Sequence, residues 1–446
     1  MDTLIQEFRV AYTGLKGDQL AETLRPDLQS YAEKLQAIWN RGDARSAKAD
    51  LQFLFYQDHS RPRLSKDETN GWYEIYLAYW KAVGEILAAE GLRTDAKSNW
   101  TSVYEAWKEL TSLIIRGYTN HDFENWTIPC LYVAGRYLRL YAIRADEERR
   151  RTGDDAVTSF QDDFDPETEE HKQLEDCARH LNRIFTLCLS DRAPLEESRK
   201  WGIYYAINLL FKTYFKLNAA SLSKNVLKAL SASKGDMPSI DKFPASQQVT
   251  FKYYEGVLAF LEENYVEAEK HLTQAWQMCH KDARRNLEYG TSVRFGSHAE
   301  LTVRLLEPFP RLQKLFLPLA QSIKKGDLRA FDKALQEGED EFIKRRIYLT
   351  LERGRDIALR NLLRKVFIAG GFEEAKDGAA PLRRTRVPVA EFTAAMKLKG
   401  GDDIDADEVE CLLANMIYKN LMKGYIAHER GIVVLSKNGA FPGTGV

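Results

Sequence analysis

The sequence predicts a mainly α chain: a right-handed, TPR-like helical solenoid that ends in a C-terminal winged helix. Three observations carry this expectation. Apolar residues recur at three- and four-residue spacing through most of the 446 residues, which marks helices with one buried face. Residues 249–282 place small and large side chains at the spacings of a two-helix repeat. Between Asp405 and Lys437 a capped helix runs straight into two β-rich runs, which is the second half of a winged helix.

Composition sets the bounds. An apolar share of 44% and a charged share of 29% are those of an ordinary globular protein, and a prior of ~150 residues per domain suggests about three units. A formal charge of −1 excludes bulk polyelectrolyte behaviour, so any nucleic-acid binding must come from a local patch. The five cysteines, at 130, 177, 188, 279 and 411, are scattered and odd in number, which argues against a disulfide framework. The first nine residues lack a basic-then-apolar signal pattern, and runs such as 203–211 are far shorter than the ~18 apolar residues of a membrane span. The expectation is an intracellular, soluble protein without membrane contact, in which the sequon Asn125-Trp126-Thr127 is idle.

Taken in order, residues 1–150 read as an N-terminal helical region. Apolar residues from Leu20 to Leu54 and from Trp72 to Leu87 keep helical spacing, and residues 100–116 and 125–148 read as two more helices whose aromatics belong to the core. Residues 151–170 read as an acidic, disordered insertion, because three arginines at 149–151 give way to Asp154, Asp155, Asp162, Asp163, Asp165, Glu167, Glu169 and Glu170. Residues 171–340 read as the solenoid. Within it, 198–218 is apolar on more than one face, as befits a helix sandwiched between neighbours. Gly256, Tyr265, Ala268, Leu272 and Ala275 carry the repeat, with Gly256 and Ala268 expected to face each other. At 289–303 two glycines interrupt the periodicity, and this stretch reads either as a real loop or as a local sequence anomaly.

Residues 341–446 read as the winged helix. Helices are expected at 342–351 and 357–368, a loop at 370–381 and a short helix at 389–398. Asp405 is a candidate N-cap, with Glu408 completing a box-like start. Val409, Leu412, Leu413, Ile417 and Leu421 form one apolar face, and Gly424 is read as the helix stop. Residues 425–428 and 432–435, joined by Glu429-Arg430-Gly431, suit a hairpin.

These residues resemble one family closely. The order of acidic cap, Glu-Val-Glu-Cys-Leu-Leu-Ala-Asn from 408, Lys-Gly-Tyr-Ile from 423, Val-Val-Leu-Ser-Lys to 437 and Phe441-Pro442 is similar to the C-terminal end of the PCI domain. Within that family it resembles the branch of COP9 signalosome subunit 12 and the PCI protein of the nuclear transcription–export complex. Asn125-Trp-Thr-Ile-Pro, 138–146 and 198–218 resemble the same branch, so the likeness covers roughly residues 100–446, with a PCI module at about 248–437. Residues 289–303 depart from it, because family members carry a strongly apolar helix there. The resemblance implies a scaffold subunit, found in nucleus and cytoplasm, that pairs with a second PCI subunit of the GANP type and with a small acidic subunit shared with the proteasome lid. Such modules bind RNA or DNA without sequence preference and couple transcription or splicing to mRNA export. The alternative is a structural subunit of a signalosome or proteasome-lid complex in protein degradation, with no nucleic-acid role.

The residues themselves point to no enzyme and no cofactor. The metalloprotease, P-loop, nucleophile-elbow and dinucleotide patterns are absent. Cys177, His180 and Cys188 lack a fourth ligand at suitable spacing and read as core or surface residues. What does stand out is the window 344–386, with twelve cations against five acids. Arg360, Arg364, Lys365, Arg383, Arg384 and Arg386 are the candidate phosphate contacts, although a plain solvated surface or a face packed on another PCI subunit accounts for the same charges. The acids at the start of the presumed recognition helix would repel a phosphate backbone. Along 432–435 the period of two separates Ile432 and Val434 from Val433 and Leu435. One pair is expected in the core, and the other is the candidate partner interface.

Overall fold

The computed structural model describes residues 2–39, 44–57, 64–93, 98–152, 171–288, 291, 306–373, 383–400 and 404–445. The proposed acidic insertion from 153 onward and nearly all of 289–303 lie outside the described residues. The chain divides into two compact units, Met1–Tyr254 and Glu255–Val446.

Among its described residues, every regular element of the first unit is a helix. The apolar pattern of residues 20–54 is not one continuous helix. It forms α2 (Gly17–Thr23), α3 (Leu28–Trp39) and α4 (Ala44–Gln52), after α1 (Asp2–Thr13). Pro26 explains the first break, since it offers no N–H to a helix. Asp27 then accepts from Gln29 N at 3.2 Å where α3 begins. The helix α5 (Lys66–Ala89) opens with a full capping box. Ser65 Oγ accepts from Glu68 N at 3.1 Å, and Ser65 N donates to the Glu68 carboxylate at 2.8 Å, which satisfies two N–H groups that the first turn leaves orphaned. Its inner face buries Trp72, Tyr76 and Tyr79 against Phe8 of α1 and Trp107 of α6 (Trp100–Asn120). Many aromatics of this region are core, as their spacing implied, but Phe53 is 54% exposed.

Two further helices, α7 (Ile128–Thr152) and α8 (Lys172–Leu189), are tied by one buried carboxylate. Asp146 of α7 accepts from Gln173 N and Leu174 N, both at 3.0 Å, and from Arg149 at 3.0 Å. Burial pushes its pKa up, while these bonds pull it down. The side chain thus supplies α8 with the N-terminal acceptor that its own His171 does not. Next, α9 (Ile203–Lys216) buries Tyr204, Ile207, Leu210, Phe211 and Tyr214. That pattern spans more than one face and matches the sandwiched position its sequence implied. The unit closes with α10 (Leu222–Ala232) and with α11 (Ala245–Leu261) as far as Tyr254.

The second unit begins with the repeat. The end of α11 packs on α12 (Tyr265–Met278), which Asn264 caps by accepting from Glu267 N at 3.3 Å. The nearest neighbour of Gly256 is Leu272, one turn beyond the expected Ala268. A Cβ at Gly256 would lie 2.6 Å from Leu272 Cγ, while Ala268 is itself fully buried. Then come α13 (Pro310–Lys325) and α14 (Leu328–Glu337). The helix expected at 342–351 is two short ones, α15 (Glu339–Lys344) and α16 (Tyr348–Glu352), separated by Arg346 at φ +58°. The break lets Phe342, Ile347 and Leu351 all point inward, which five- and four-residue spacings in one continuous helix would not do as well. The helix α17 (Gly354–Ala369) leads into the terminal module.

Ala268→Leu is expected to cost ~1–3 kcal/mol through overpacking, read as a lowered urea midpoint. An unchanged midpoint would mean that α11 and α12 do not pack as described.

Candidate partner and nucleic-acid surface

The terminal module places a small sheet against helices. Its elements are β1 (Arg386–Pro388), α18 (Val389–Gly400), α19 (Ala406–Tyr418), β2 (Gly424–Ala427) and β3 (Ile432–Leu435). The sheet order is β1-β3-β2 and both pairings are antiparallel. The sequence reading missed β1, because three residues ending in Pro388 give too little alternation to register as a strand. Proline is tolerated there since β1 is an edge.

Asp405 caps α19 as expected, accepting from Glu408 N at 2.7 Å. The helix does not run on to Gly424, however. It ends at Tyr418, and Asn420 at φ +54° turns the chain while Leu421 N donates back to Met416 O at 3.0 Å. Asparagine tolerates that left-handed conformation through its short polar side chain. Val409, Leu413 and Met416 are buried, while Leu412, Ile417 and Leu421 pack half-buried on the same core. Gly424 instead opens β2. A Cβ there would sit 2.4 Å from Val434 O and 3.1 Å from Leu435 Cα, so only glycine lets β2 approach β3 this closely.

Seated in the middle of the sheet, β3 sends alternate side chains to opposite faces. Val433 and Leu435 point into the core beside Val387 and Ile426. Ile432 and Val434 are half-buried on the other face. The register places Val434 between Arg386 and Tyr425, and Ile432 between Pro388 and Ala427. Tyr425 is 62% exposed. The outer face is therefore an apolar strip with one large aromatic. The sequence reading overlooked Tyr425, although the same period of two that sorts β3 would have assigned it outward opposite Ile426.

The six candidate cations are dispersed in their environments. Arg360 is half-buried, with Nη2 at 3.5 Å from Asn361 Oδ1. Arg364, also half-buried, donates to Thr444 O at 3.3 Å. Lys365 is exposed and donates to Lys325 O at 2.8 Å. Arg383 lies over two rings, 4.7 Å from Phe372 and 5.5 Å from Phe367. Its segment thus comes against the end of α17, bringing the two parts of the basic window together. Arg384 pairs with Glu391 at 2.9 Å. Arg386 is exposed at the sheet edge. Lys365 and Arg386 are the two of the six whose side chains are exposed. At the head of α19, Asp407 and Glu408 are exposed, and Glu410 holds His428 at 2.8 Å, so that end presents negative charge.

Cys177, His180 and Cys188 all sit on α8 and are buried. Burial pushes the Cys188 thiol up to about 12 and raises that of Cys177 further, which makes both inert packing groups. His180 Nδ1 bonds the Asp176 carbonyl at 3.1 Å. Among the described residues no group of three or more His, Cys, Asp or Glu is placed to hold a metal, and no helix is long and apolar enough to cross a membrane.

Comparison with known proteins places the module. The PCI domain family matches residues 335–437. A protein described as "Protein CSN12 homolog" from Neurospora crassa is 63% identical over the full length of both chains, and one from Gibberella zeae is 61% identical over the same extent. "PCI domain-containing protein 2" from Xenopus laevis is 31% identical across 80% of this chain and 84% of its own.

Because β2 must lie against the Val434 carbonyl, Gly424→Ala is expected to destabilise the protein by ~1–3 kcal/mol, seen as a lower melting temperature. A melting temperature equal to wild type would show that the close approach is not needed.

Proposed function

Because the chain belongs to the CSN12 family of PCI-domain proteins, we propose that it is a non-catalytic scaffold subunit that pairs with a second PCI protein through the outer face of its wing. The observation that carries this reading is the strip formed by Ile432, Val434 and the exposed Tyr425. An apolar, aromatic-bearing face rimmed by Arg386 is the composition that protein interfaces favour. Its partner in this reading is a PCI subunit of the GANP type, and a small acidic subunit shared with the proteasome lid binds the solenoid. The likeness to "PCI domain-containing protein 2" favours the branch that binds RNA or DNA without sequence preference and couples transcription or splicing to mRNA export, working in nucleus and cytoplasm.

The second reading is a structural subunit of a signalosome- or lid-like complex with no nucleic-acid role. The pairing of Arg384 with Glu391 and the acids at the head of α19 favour it, since they weaken the surface a phosphate backbone would meet.

Two experiments separate these readings. Replacing Ile432 and Val434 together by glutamate is expected to abolish co-purification of the PCI partner while circular dichroism stays that of wild type. Retained pairing would overturn the interface. For nucleic acid, the anisotropy of labelled single-stranded RNA is followed across a salt series with the partner-bound complex. Each phosphate contact contributes ~0.7 to the log–log slope, so Lys365→Ala with Arg386→Ala should flatten it by about 1.4. An unaltered slope returns these cations to ordinary solvated surface and favours the degradation scaffold.

A further inference from the structure

Far from the wing in sequence, the N-terminal unit carries a cluster of cations without a described counter-charge. Arg136 and Arg139 lie about one turn apart on α7. Lys212 of α9 is beside them, its carbonyl accepting from Arg139 Nη2 at 3.1 Å. The two helices stay alongside over this stretch, because Tyr132 stacks on Tyr205 with ring centroids 4.0 Å apart, and each tyrosine precedes its cation, Arg139 or Lys212, by about two helical turns. Among the described residues, none of the three cations enters an ion pair, and Arg139 Nε is buried without a hydrogen-bond partner.

This lack is local. One turn further along, Lys216 faces Glu147 at 4.0 Å, and Arg144 pairs with Glu90 at 2.8 Å. Like charges held together without an anion repel, and partial burial strengthens the repulsion. Burial, then Arg139 and Arg136, lower the pKa of the Lys212 ammonium. The side chains of Arg136 and Lys212 are exposed, and Arg136 lies over the neighbouring Tyr137 ring at 5.6 Å.

The size of the cluster selects its ligand. A polynucleotide wants a track of cations and open aromatic faces. Here the track ends within a turn, and the nearby rings already pack on each other: Tyr132 on Tyr205, and Tyr254 on Phe211. A lone carboxylate brings one negative charge to three cations. A phosphomonoester brings nearly two, with three acceptor oxygens suited to guanidinium forks.

We propose that Arg136, Arg139 and Lys212 form a binding site for a phosphomonoester dianion. Its source is either a phosphorylated side chain of a partner or a small phosphorylated metabolite, and the test distinguishes them.

The full-length protein is titrated calorimetrically with a phosphoserine decapeptide, its unphosphorylated counterpart, inositol trisphosphate, hexaglutamate and a 12-nucleotide RNA without terminal phosphate. One of the two phosphomonoesters is expected to bind, and to bind more tightly at pH 7.5 than at 5.5 as the phosphate loses its second proton near pH 6. Whichever binds identifies the source. Arg136→Gln with Lys212→Gln, both at exposed positions, should weaken binding about tenfold or more with an unchanged melting curve. Three results overturn the site: neither phosphomonoester binds at millimolar concentration, the double variant binds as wild type does, or RNA or hexaglutamate binds as tightly as the phosphomonoesters.

Discussion

What the C-terminal module offers to its surroundings depends on how closely β2 lies against β3. Gly424 sits where any Cβ would fall 2.4 Å from the Val434 carbonyl, and the ladder that follows fixes Tyr425 opposite Val434 and Ile426 opposite Val433. Once that register is set, the strand's period of two leaves no freedom. A slip of one residue would exchange Val433 and Leu435, now in the core, with Ile432 and Val434. The apolar outer strip therefore follows from the same constraint that builds the inner core. It is an obligatory by-product of a strand that is apolar at every position.

Several cations of the basic window are engaged inside the second unit. Arg353 holds Glu263 at 2.7 Å, Arg355 holds Asp332 at 2.9 Å and Arg384 holds Glu391 at 2.9 Å, while Arg383 is covered by two rings. Exposed pairs of this kind add little stability individually, but each removes a cation from the field that a phosphate would feel. The bond from Lys399 holds the Asp327 carboxyl below its usual range. Its folded pKa is depressed, so its contribution is present at neutral pH and is lost as pH falls through that lowered value. Summed charge along a sequence window thus overstates the potential at the surface.

Much of the fold was legible from spacing alone. The sandwiched helix Ile203–Lys216, the cap at Asp405 and the two long wing strands all rest on local patterns that the tertiary structure keeps. The misses share a cause, which is that tertiary contacts decided them. Nothing local announces that Asn420 rather than Gly424 turns the chain, that a three-residue strand pairs with β3, or that Leu272 is the nearest neighbour of Gly256. The candidate site was half legible. Alternation sorted the wing residues into two pairs, but which pair faces the core, and that Tyr425 joins the outer one, required the register. The cluster of Arg136, Arg139 and Lys212, which among the described residues enters no ion pair, was invisible, because it comes from two helices that only the fold brings together.

The central claim is that the outer wing face is where this scaffold meets its PCI partner. Hydrogen–deuterium exchange of the full chain, alone and in the co-purified complex, tests it most directly. The account predicts slowed exchange in residues 386–388 and 424–435 on complex formation, with 203–216 unchanged. Wing segments that exchange at the same rate in both states, with protection confined to the solenoid helices, would contradict it.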